Sequence, residues 1–262
     1  MDHGADCINS GLSYITYAEI LGSDSTHFFV GVFTMQFLSH VIFLEEYFTG
    51  RLDFPEFNFV NEGITLMFVN LIPGILFGNS IYAVPIVAGI RFLDVIFVGS
   101  FVTVLFQLTG TLRNVSSFTS VGNFFANKLL MLYLGAVHLL VYFCSDNWLF
   151  VSYPKIPLYF AAFMTSRVII SMMIAHVLEI PFVQFQRYPL MIITAQLGVF
   201  IFEKVFLKVK TDANQMIVAV AYSLVSLVSF LYLAVYCYSM VSNIAKILGI
   251  EVFSIAKKVS VL

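Results

Sequence analysis

Long apolar stretches recur along this whole chain, and they constrain its fold more than any other feature. A helix needs about 20 mostly apolar residues to cross the hydrocarbon core of a bilayer. Seven stretches are good candidates, and an eighth, nearest the N-terminus, is short and amphipathic. In chain order, the eight segments cover residues 7–22, 27–44, 61–80, 89–109, 128–149, 157–177, 189–206 and 214–240. The sequence therefore predicts an all-α polytopic membrane protein with about eight transmembrane helices.

Composition excludes the main alternative classes. Only 11% of the 262 residues are charged and 60% are hydrophobic, whereas a soluble domain carries about 25% charged residues. This balance excludes a soluble enzyme, a disordered chain and a disulfide scaffold. No basic run is present, so we expect no nucleic-acid partner. Since no soluble domain or internal repeat interrupts the apolar stretches, residues 1–262 are predicted to form a single transmembrane domain.

The distribution of lysine and arginine gives a weak indication of orientation. If all eight segments span, seven of these residues lie on the side of Asp2 and five on the other. The positive-inside rule then places Asp2 and the tail at Lys257–Lys258 on the same, cytosolic side. The sequon at Asn114 falls on that side too, and we take it as inert.

The chain begins with MDHGADC, in which Asp2 and Asp6 stand four residues apart. On a helix, residues at this spacing lie on one face. Two carboxylates on one face suit Mg²⁺ or Mn²⁺, and the small residues Gly4 and Ala5 leave room for a ligand. The same spacing also fits a solvated helix start whose acidic side chains favour the helix dipole. The spacing alone leaves both interpretations open.

A second polar stretch, LEEYFTGRLDFPEFNFVNEG, covers residues 44–63 between two apolar segments. Beside the single Arg51, its acidic residues are Glu45, Glu46, Asp53, Glu56 and Glu62. Together with the aromatic rings of Tyr47 and Phe48, these carboxylates suit a cationic head group, through charge and cation–π contact. An ordinary polar loop has a similar composition, so this alternative also stays open.

Ionisable residues inside apolar segments are candidates for function because they are costly to bury in lipid. In this chain they are Glu19, Asp94, His138, Arg167 and His176. Asp94 lies three residues after Arg91, so this pair can neutralise itself on a helix. His138 and His176 also fit a purely structural role inside the bundle.

Three patches of the sequence, in the same order, resemble a known family. The first is DHGAD, which matches the DxxxD end of a GxxxDxxxD signature. The second, residues 44–63, is similar to the pattern WEHYFTxxLxxPxxN…EG, and the third is the closing SNIAKILGIEVFSIAKK. By these patches the chain resembles the eukaryotic choline/ethanolamine phosphotransferase branch of the CDP-alcohol phosphatidyltransferase family.

The chain also departs from the pattern of that family. The DGxxAR box is absent, since neither Asp-Gly nor Ala-Arg occurs anywhere in the sequence. Leu44 stands where the motif has tryptophan, and Glu46 stands where it has histidine. Family members have about ten spanning helices, so the resemblance implies an N-terminally truncated chain that forms the C-terminal portion of such a bundle.

The resemblance implies transfer of phosphoethanolamine or phosphocholine from a CDP-alcohol to diacylglycerol, with release of CMP, in the endoplasmic reticulum or Golgi membrane. By position, Asp2 and Asp6 correspond to ligands of Mg²⁺ or Mn²⁺, and Asp6 also to the general base. Glu45, Tyr47 and Glu62 correspond to substrate-binding residues. Since half of the metal ligands are absent, we expect this chain to be inactive as written.

Two other functions stay open. The chain fits a non-catalytic membrane protein derived from the same fold. A transporter is also conceivable, with helices broken near Pro73 and Pro85 lining a pathway, although no inverted repeat supports it. The sequence does not distinguish choline from ethanolamine, or a monomer from a homodimer.

Overall fold

The computed structural model describes residues 2–22, 25–51, 64–183, 185–207 and 211–249, and these residues are almost entirely helical. The helices of this part of the chain are α1 (Asp2–Ile20), α2 (Ser25–Thr49), α3 (Ile64–Phe77), α4 (Phe92–Val115), α5 (Val121–Ala126), α6 (Leu129–Cys144), α7 (Leu149–Ser152), α8 (Lys155–Val177), α9 (Arg187–Val205) and α10 (Asp212–Leu248). The prediction of an all-α protein is confirmed.

Five of the described helices are long and apolar enough to cross a membrane, namely α2, α4, α8, α9 and α10. Two shorter apolar helices, α3 and α6, coincide with two more of the predicted segments. The amphipathic first segment is α1. Each of the eight predicted segments therefore corresponds to a helix, and the chain is an integral membrane protein. By length and apolar composition, however, α1, α3 and α6 do not qualify as spanning helices.

The direction of each helix follows from contacts near its ends. Ser166 of α8 donates to the carbonyl of Cys7 near the start of α1, whereas Glu19 near the end of α1 pairs with Lys155 at the start of α8. These two helices are therefore antiparallel. We call the two ends of the bundle the Asp6 end, where α1 begins, and the Lys155 end, where α8 begins.

The eight helices that correspond to the predicted segments alternate in direction between these two ends. Helix α10 starts at the Lys155 end, where Asn147 donates to the carbonyl of Gln215, and finishes at Gly249, a left-handed C-cap with φ of 65°. The start of α1 and the end of α10, the first and last described helices, thus lie at the same end of the bundle. Lys257 and Lys258 lie outside the described residues, so the location of the tail stays a prediction.

Helix α8 forms the centre of the bundle. Leu158, Phe160 and Met164 are fully buried, and α1, α2 and α10 all pack against this helix. The approach of α1 is close because Gly11 lacks a side chain: a Cβ atom there would lie 3.1 Å from the Cβ of Ala162. By contrast, α4, α9 and α10 expose rows of large apolar side chains, as expected for helices that face lipid.

Helix α3 contains the one conspicuous irregularity in the described helices. Pro73 lies inside it, and the buried Tyr82 hydroxyl donates to the Asn70 carbonyl at 2.7 Å and accepts from the Gly74 amide at 3.0 Å. In a regular helix that amide and that carbonyl would bond to each other, so the hydroxyl is inserted into the helical ladder. A short antiparallel hairpin, Pro85–Val87 with Ile90–Arg91, follows.

Candidate functional site

The two opening aspartates lie on one helix, as their spacing predicted. Both belong to the first turns of α1, and Asp6 is exposed. The side chain of Asp2 lies outside the described part of the structure, so only its backbone position is known. Asp6 therefore presents a solvent-accessible carboxylate at the Asp6 end of the bundle, where a polar ligand can reach it.

A second carboxylate, that of Glu46 on α2, acts on the residue that follows Asp6. The charges of Asp6 and Glu46 both act on the thiol of the intervening Cys7, which is buried. The Oε2 atom of Glu46 is also buried and has no hydrogen-bond partner among the described residues. Since a buried, unpaired carboxylate oxygen is costly, Glu46 is a candidate to receive a donor or a cation.

Glu45 points away from this pair, into the interface between α2 and α4. Its side chain is 1% exposed. One carboxylate oxygen accepts from Thr111 Oγ1 at 2.5 Å, and the other accepts from Asn114 Nδ2 at 2.7 Å. The sequon asparagine, taken as inert from the sequence, is therefore a structural partner of Glu45. Spacing within one segment could not reveal this contact, because it joins residues 69 positions apart.

Tyr47 connects α2 to the segment that follows α8. Its hydroxyl accepts a hydrogen bond from the Phe182 amide at 3.0 Å, and its ring lies 6.3 Å from the ring of His176. The expected contact of Tyr47 with a cationic head group is untested by this arrangement and stays a prediction. Glu62, the third expected substrate-binding residue, lies outside the described residues.

A buried lysine lies in the same half of the bundle. Lys128, just before α6, is fully buried, and its Nζ is 4.5 Å from the ring centroid of Phe124 and 5.2 Å from that of Phe37. Neither Lys128 Nζ nor the two ring nitrogens of His40 have a hydrogen-bond partner among the described residues. Two cation–π contacts stabilise the ammonium in place of an acceptor.

The other ionisable residues of the apolar segments divide by position. Asp94 Oδ1 pairs with Arg91 Nη2 at 2.8 Å, which confirms the predicted partnership. Glu19 pairs with Lys155 at the Lys155 end. His138 stacks against Phe29, with 5.1 Å between ring centroids. The exception is Arg167, which has no acidic partner among the described residues and lies over the rings of Tyr232 and Tyr236.

The residues at the Asp6 end satisfy part of what a divalent cation requires. Among the side chains that the structure describes, no group of three or more His, Cys, Asp and Glu residues is arranged to hold a metal. Mg²⁺, however, commonly takes only one or two protein carboxylates and completes its shell with phosphate oxygens and water. The exposed carboxylate of Asp6 is one group of this kind.

No family model matches this chain, and no curated protein is significantly similar to it. The resemblance to the phosphotransferases therefore depends on the three sequence patches alone.

Proposed function

We propose that this protein acts in phospholipid synthesis, as a member of the choline/ethanolamine phosphotransferase branch. The observation that carries the proposal is the exposed carboxylate of Asp6 at one end of an integral membrane bundle, with the unpartnered oxygen of Glu46 in the same part of the molecule. A phosphotransferase that uses a lipid acceptor needs acidic groups within reach of the bilayer. The endoplasmic reticulum or Golgi membrane is the location that the resemblance implies.

In the proposed reaction, the hydroxyl oxygen of diacylglycerol attacks the phosphorus that bears choline or ethanolamine. The bond from this phosphorus to the CMP oxygen breaks, and CMP leaves. Asp6 accepts the hydroxyl proton as general base. When bound, Mg²⁺ or Mn²⁺ supplies neutralisation of the pyrophosphate charge. Asp2 and Asp6 are the proposed ligands, and we add Glu46 to this set because its buried Oε2 has no partner among the described residues.

Glu45 has a supporting part in this proposal. Two neutral donors hold its carboxylate in one orientation between α2 and α4. Because Glu46 and Tyr47 follow it directly, this anchor fixes the last turn of α2 and hence the position of the Glu46 carboxylate relative to Asp6. Its negative charge also favours a cationic head group nearby.

A non-catalytic protein derived from this fold is the second candidate. It is favoured by the absence of the DGxxAR box and by the replacement of the motif tryptophan and histidine with Leu44 and Glu46. The transporter is the weakest candidate. The Tyr82 hydroxyl already satisfies the irregular backbone of α3, so this part of the chain does not leave polar groups free to line a pathway.

The test of the proposal is the transfer reaction itself. Two membrane samples would be compared: one contains chain 1–262, and the other contains the same chain extended by any in-frame coding sequence upstream of its first codon. Each sample would receive radiolabelled CDP-choline or CDP-ethanolamine, together with diacylglycerol and Mg²⁺. We expect labelled phospholipid only from a longer chain that restores DGxxAR. A longer chain that contains this box and forms no product would contradict the proposal, and an upstream region without the box would favour the non-catalytic candidate.

The chain as written gives a separate prediction. Positioning and electrostatic stabilisation supply most of the catalysis in phosphoryl transfer, and the printed residues lack the DGxxAR part of the site. We therefore expect no measurable CMP release by purified 1–262 with Mg²⁺ or Mn²⁺. Release of CMP at a rate above that of an Asp6→Asn control would show that the described residues form a complete site.

A further inference from the structure

An open groove lies in the surface of the bundle at the Lys155 end, where α7 and the start of α8 meet the start of α10. Its volume is about 450 Å³. The lining is mainly apolar and includes Trp148, Leu149, Tyr153, Ile156, Ala219 and Leu227. Since Asp6 lies at the other end of the bundle, this groove is separate from the site of the proposed transfer.

Small side chains on α10 leave room for the groove. Ala219 and Ser223 both line it and lie four residues apart, on one face of the helix. The hydroxyl of Ser223 donates to the Ala219 carbonyl at 2.8 Å, so this polar group is satisfied within the helix. The floor of the groove therefore favours an apolar ligand.

Contacts between α7 and the first turns of α10 hold the rim of the groove in place. Asn147 Nδ2 donates to the Gln215 carbonyl at 2.8 Å. The ring of Phe150 lies edge-on to the ring of Tyr222, with 5.1 Å between their centroids, and both side chains are buried. The groove is thus built into the packed structure.

The dimensions of the groove fit one hydrocarbon chain. Its lining residues on α10 extend from Met216 to Leu227, which is roughly 16 Å along a helix. This length is about half of the hydrocarbon core, which is ~30 Å thick, and so matches one leaflet. The volume over this length corresponds to a mean cross-section of about 28 Å². A helix with its side chains needs roughly 80 Å², so the groove is too narrow to seat a helix of a second copy.

The surroundings of the groove place it against lipid. Leu224 and Leu227 are exposed on α10, a helix that is long and apolar enough to cross a membrane. At the mouth, Trp148 and Tyr153 are exposed, and their ring centroids are 5.7 Å apart. Tryptophan and tyrosine concentrate at the level of the lipid head groups, where their N–H and O–H groups find polar partners. The groove therefore runs from the head-group level into the hydrocarbon.

We propose that this groove binds one acyl chain of a bilayer glycerolipid from the leaflet at the Lys155 end. The chain lies along Ala219 and Ser223, between α8 and α10. The ester carbonyls at its upper end accept hydrogen bonds from Trp148 Nε1 and from the Tyr153 hydroxyl. Binding at this site needs no metal and does not depend on whether the protein catalyses transfer.

The test uses Trp148, the one tryptophan in the sequence, because its fluorescence reports on the groove directly. Purified chain 1–262 in dodecyl maltoside would be titrated with phosphatidylcholine that carries bromine atoms on its acyl chains, which quench tryptophan at short range. We expect quenching that saturates at one lipid per chain and is reversed by an excess of dioleoyl phosphatidylcholine, which has no bromine. Quenching that rises without saturation, or no quenching at all, would overturn the proposal.

A variant that fills the groove connects the quenching to this site. Ser223→Phe places a ring in the middle of the groove, where it displaces several methylene groups of the bound chain. We expect the lipid concentration for half-maximal quenching to rise by about 10-fold or more. Val228→Phe adds the same ring at an exposed position of α10 outside the groove, and it should respond as the wild type does. Wild-type affinity in Ser223→Phe would contradict binding in the groove.

Ser223→Leu is the second variant, and it decides the matter even if Ser223→Phe does not fold. It adds a smaller apolar side chain at a half-buried position, so we expect affinity for the brominated lipid to fall several-fold. Unchanged affinity in this variant would contradict the proposal. A wild-type dimer in which brominated lipid does not quench Trp148 would contradict it too, because a second copy would then cover the groove.

Discussion

The two ends of the bundle differ in whether their charged groups have ion-pair or hydrogen-bond partners. At the Lys155 end, Lys155 pairs with Glu19, and Lys204 pairs with Asp146. The buried Glu203 accepts from the hydroxyl of Ser145, from the Asp146 amide and from the Tyr222 hydroxyl. The charged groups named here all have a partner of opposite charge or a set of hydrogen-bond donors.

At the Asp6 end, several polar groups lack such partners. An oxygen of Glu46, the ammonium of Lys128 and both ring nitrogens of His40 are buried with no hydrogen-bond partner among the described residues. Glu45 is bonded, but only by neutral donors. Since unsatisfied buried groups lower stability, the paired charged groups named at the Lys155 end stabilise the fold, whereas the ionisable groups without partners at the Asp6 end could be completed by a ligand.

The largest effect is expected for Asp6 in a chain that carries out transfer. Asp6→Asn replaces the general base with an amide that does not accept a proton near neutral pH, so activity should fall by about 10²-fold or more. Asp2→Asn should also weaken the dependence on metal, because an amide oxygen is a poorer ligand than a carboxylate. Incorporation of radiolabelled CDP-alcohol into lipid, at equal membrane abundance, measures both losses.

Full activity of the Asp6→Asn variant would contradict the assignment. In that case Asp6 would be only a solvated residue at the start of α1, as the spacing alone allowed.

Glu45 should show a smaller loss of activity than Asp6. In Glu45→Gln, an amide group faces the Asn114 amide, which loses its carboxylate acceptor, and the last turn of α2 becomes less well fixed. We expect reduced transfer with the metal dependence unchanged, measured in the same lipid-labelling assay. Asn114→Gln serves as the matched variant from the other side of the contact and should reduce activity in the same direction. If Asn114→Gln is indistinguishable from the wild type, the contact does not position the site.

Glu203 tests the opposite end through stability. Glu203→Gln leaves the donors from Ser145, Asp146 and Tyr222 with one poorer acceptor, so the free energy of unfolding should fall by about 1–3 kcal/mol. Glu46→Gln is the matched control, and it should cost little or nothing because the carboxylate oxygen it replaces has no described partner. Thermal unfolding of both variants in detergent, without ligand, gives the comparison. A larger loss for Glu46→Gln would reverse the contrast between the ends.

The smallest effect is expected for the exposed ion pair between Glu19 and Lys155. Such pairs contribute about 0–1 kcal/mol, because water and salt screen them. Lys155→Gln should therefore shift the unfolding midpoint only slightly, and the shift should vanish at high salt. A shift as large as that of Glu203→Gln would mean that the pair fixes the crossing of α1 and α8.

Local patterns predicted most of the fold, because apolar length and punctuation are local properties. The eight predicted segments all correspond to helices, and the Arg91–Asp94 pair was predictable because its members lie three residues apart. The insertion of the Tyr82 hydroxyl into α3 was not predictable, since a single proline does not show which side chain satisfies the backbone beside it.

The sequence predicted only those features of the candidate site that depend on residues close together in the chain. Helical spacing placed Asp2 and Asp6 on one helix, but it did not show that Glu46 of α2 acts on the adjacent Cys7. Composition gave the same weight to Glu45 and Glu46, whereas packing separates them: one turns toward Thr111 and Asn114, and the other toward Cys7. Lys128 was missed for the same reason, because aromatic rings from α2 and α5 bury it.

The most direct test of the central claim is Mn²⁺ binding at the Asp6 end. Loss of the free Mn²⁺ electron paramagnetic resonance signal would be measured on purified 1–262 with CDP-ethanolamine present, for the wild type, Asp6→Asn, Glu46→Gln and Glu203→Gln. We predict that the wild type and Glu203→Gln bind Mn²⁺, and that the Asp6 and Glu46 variants bind it much more weakly. Equal binding by all four proteins, or no binding by the wild type, would contradict a metal site at Asp6 and Glu46.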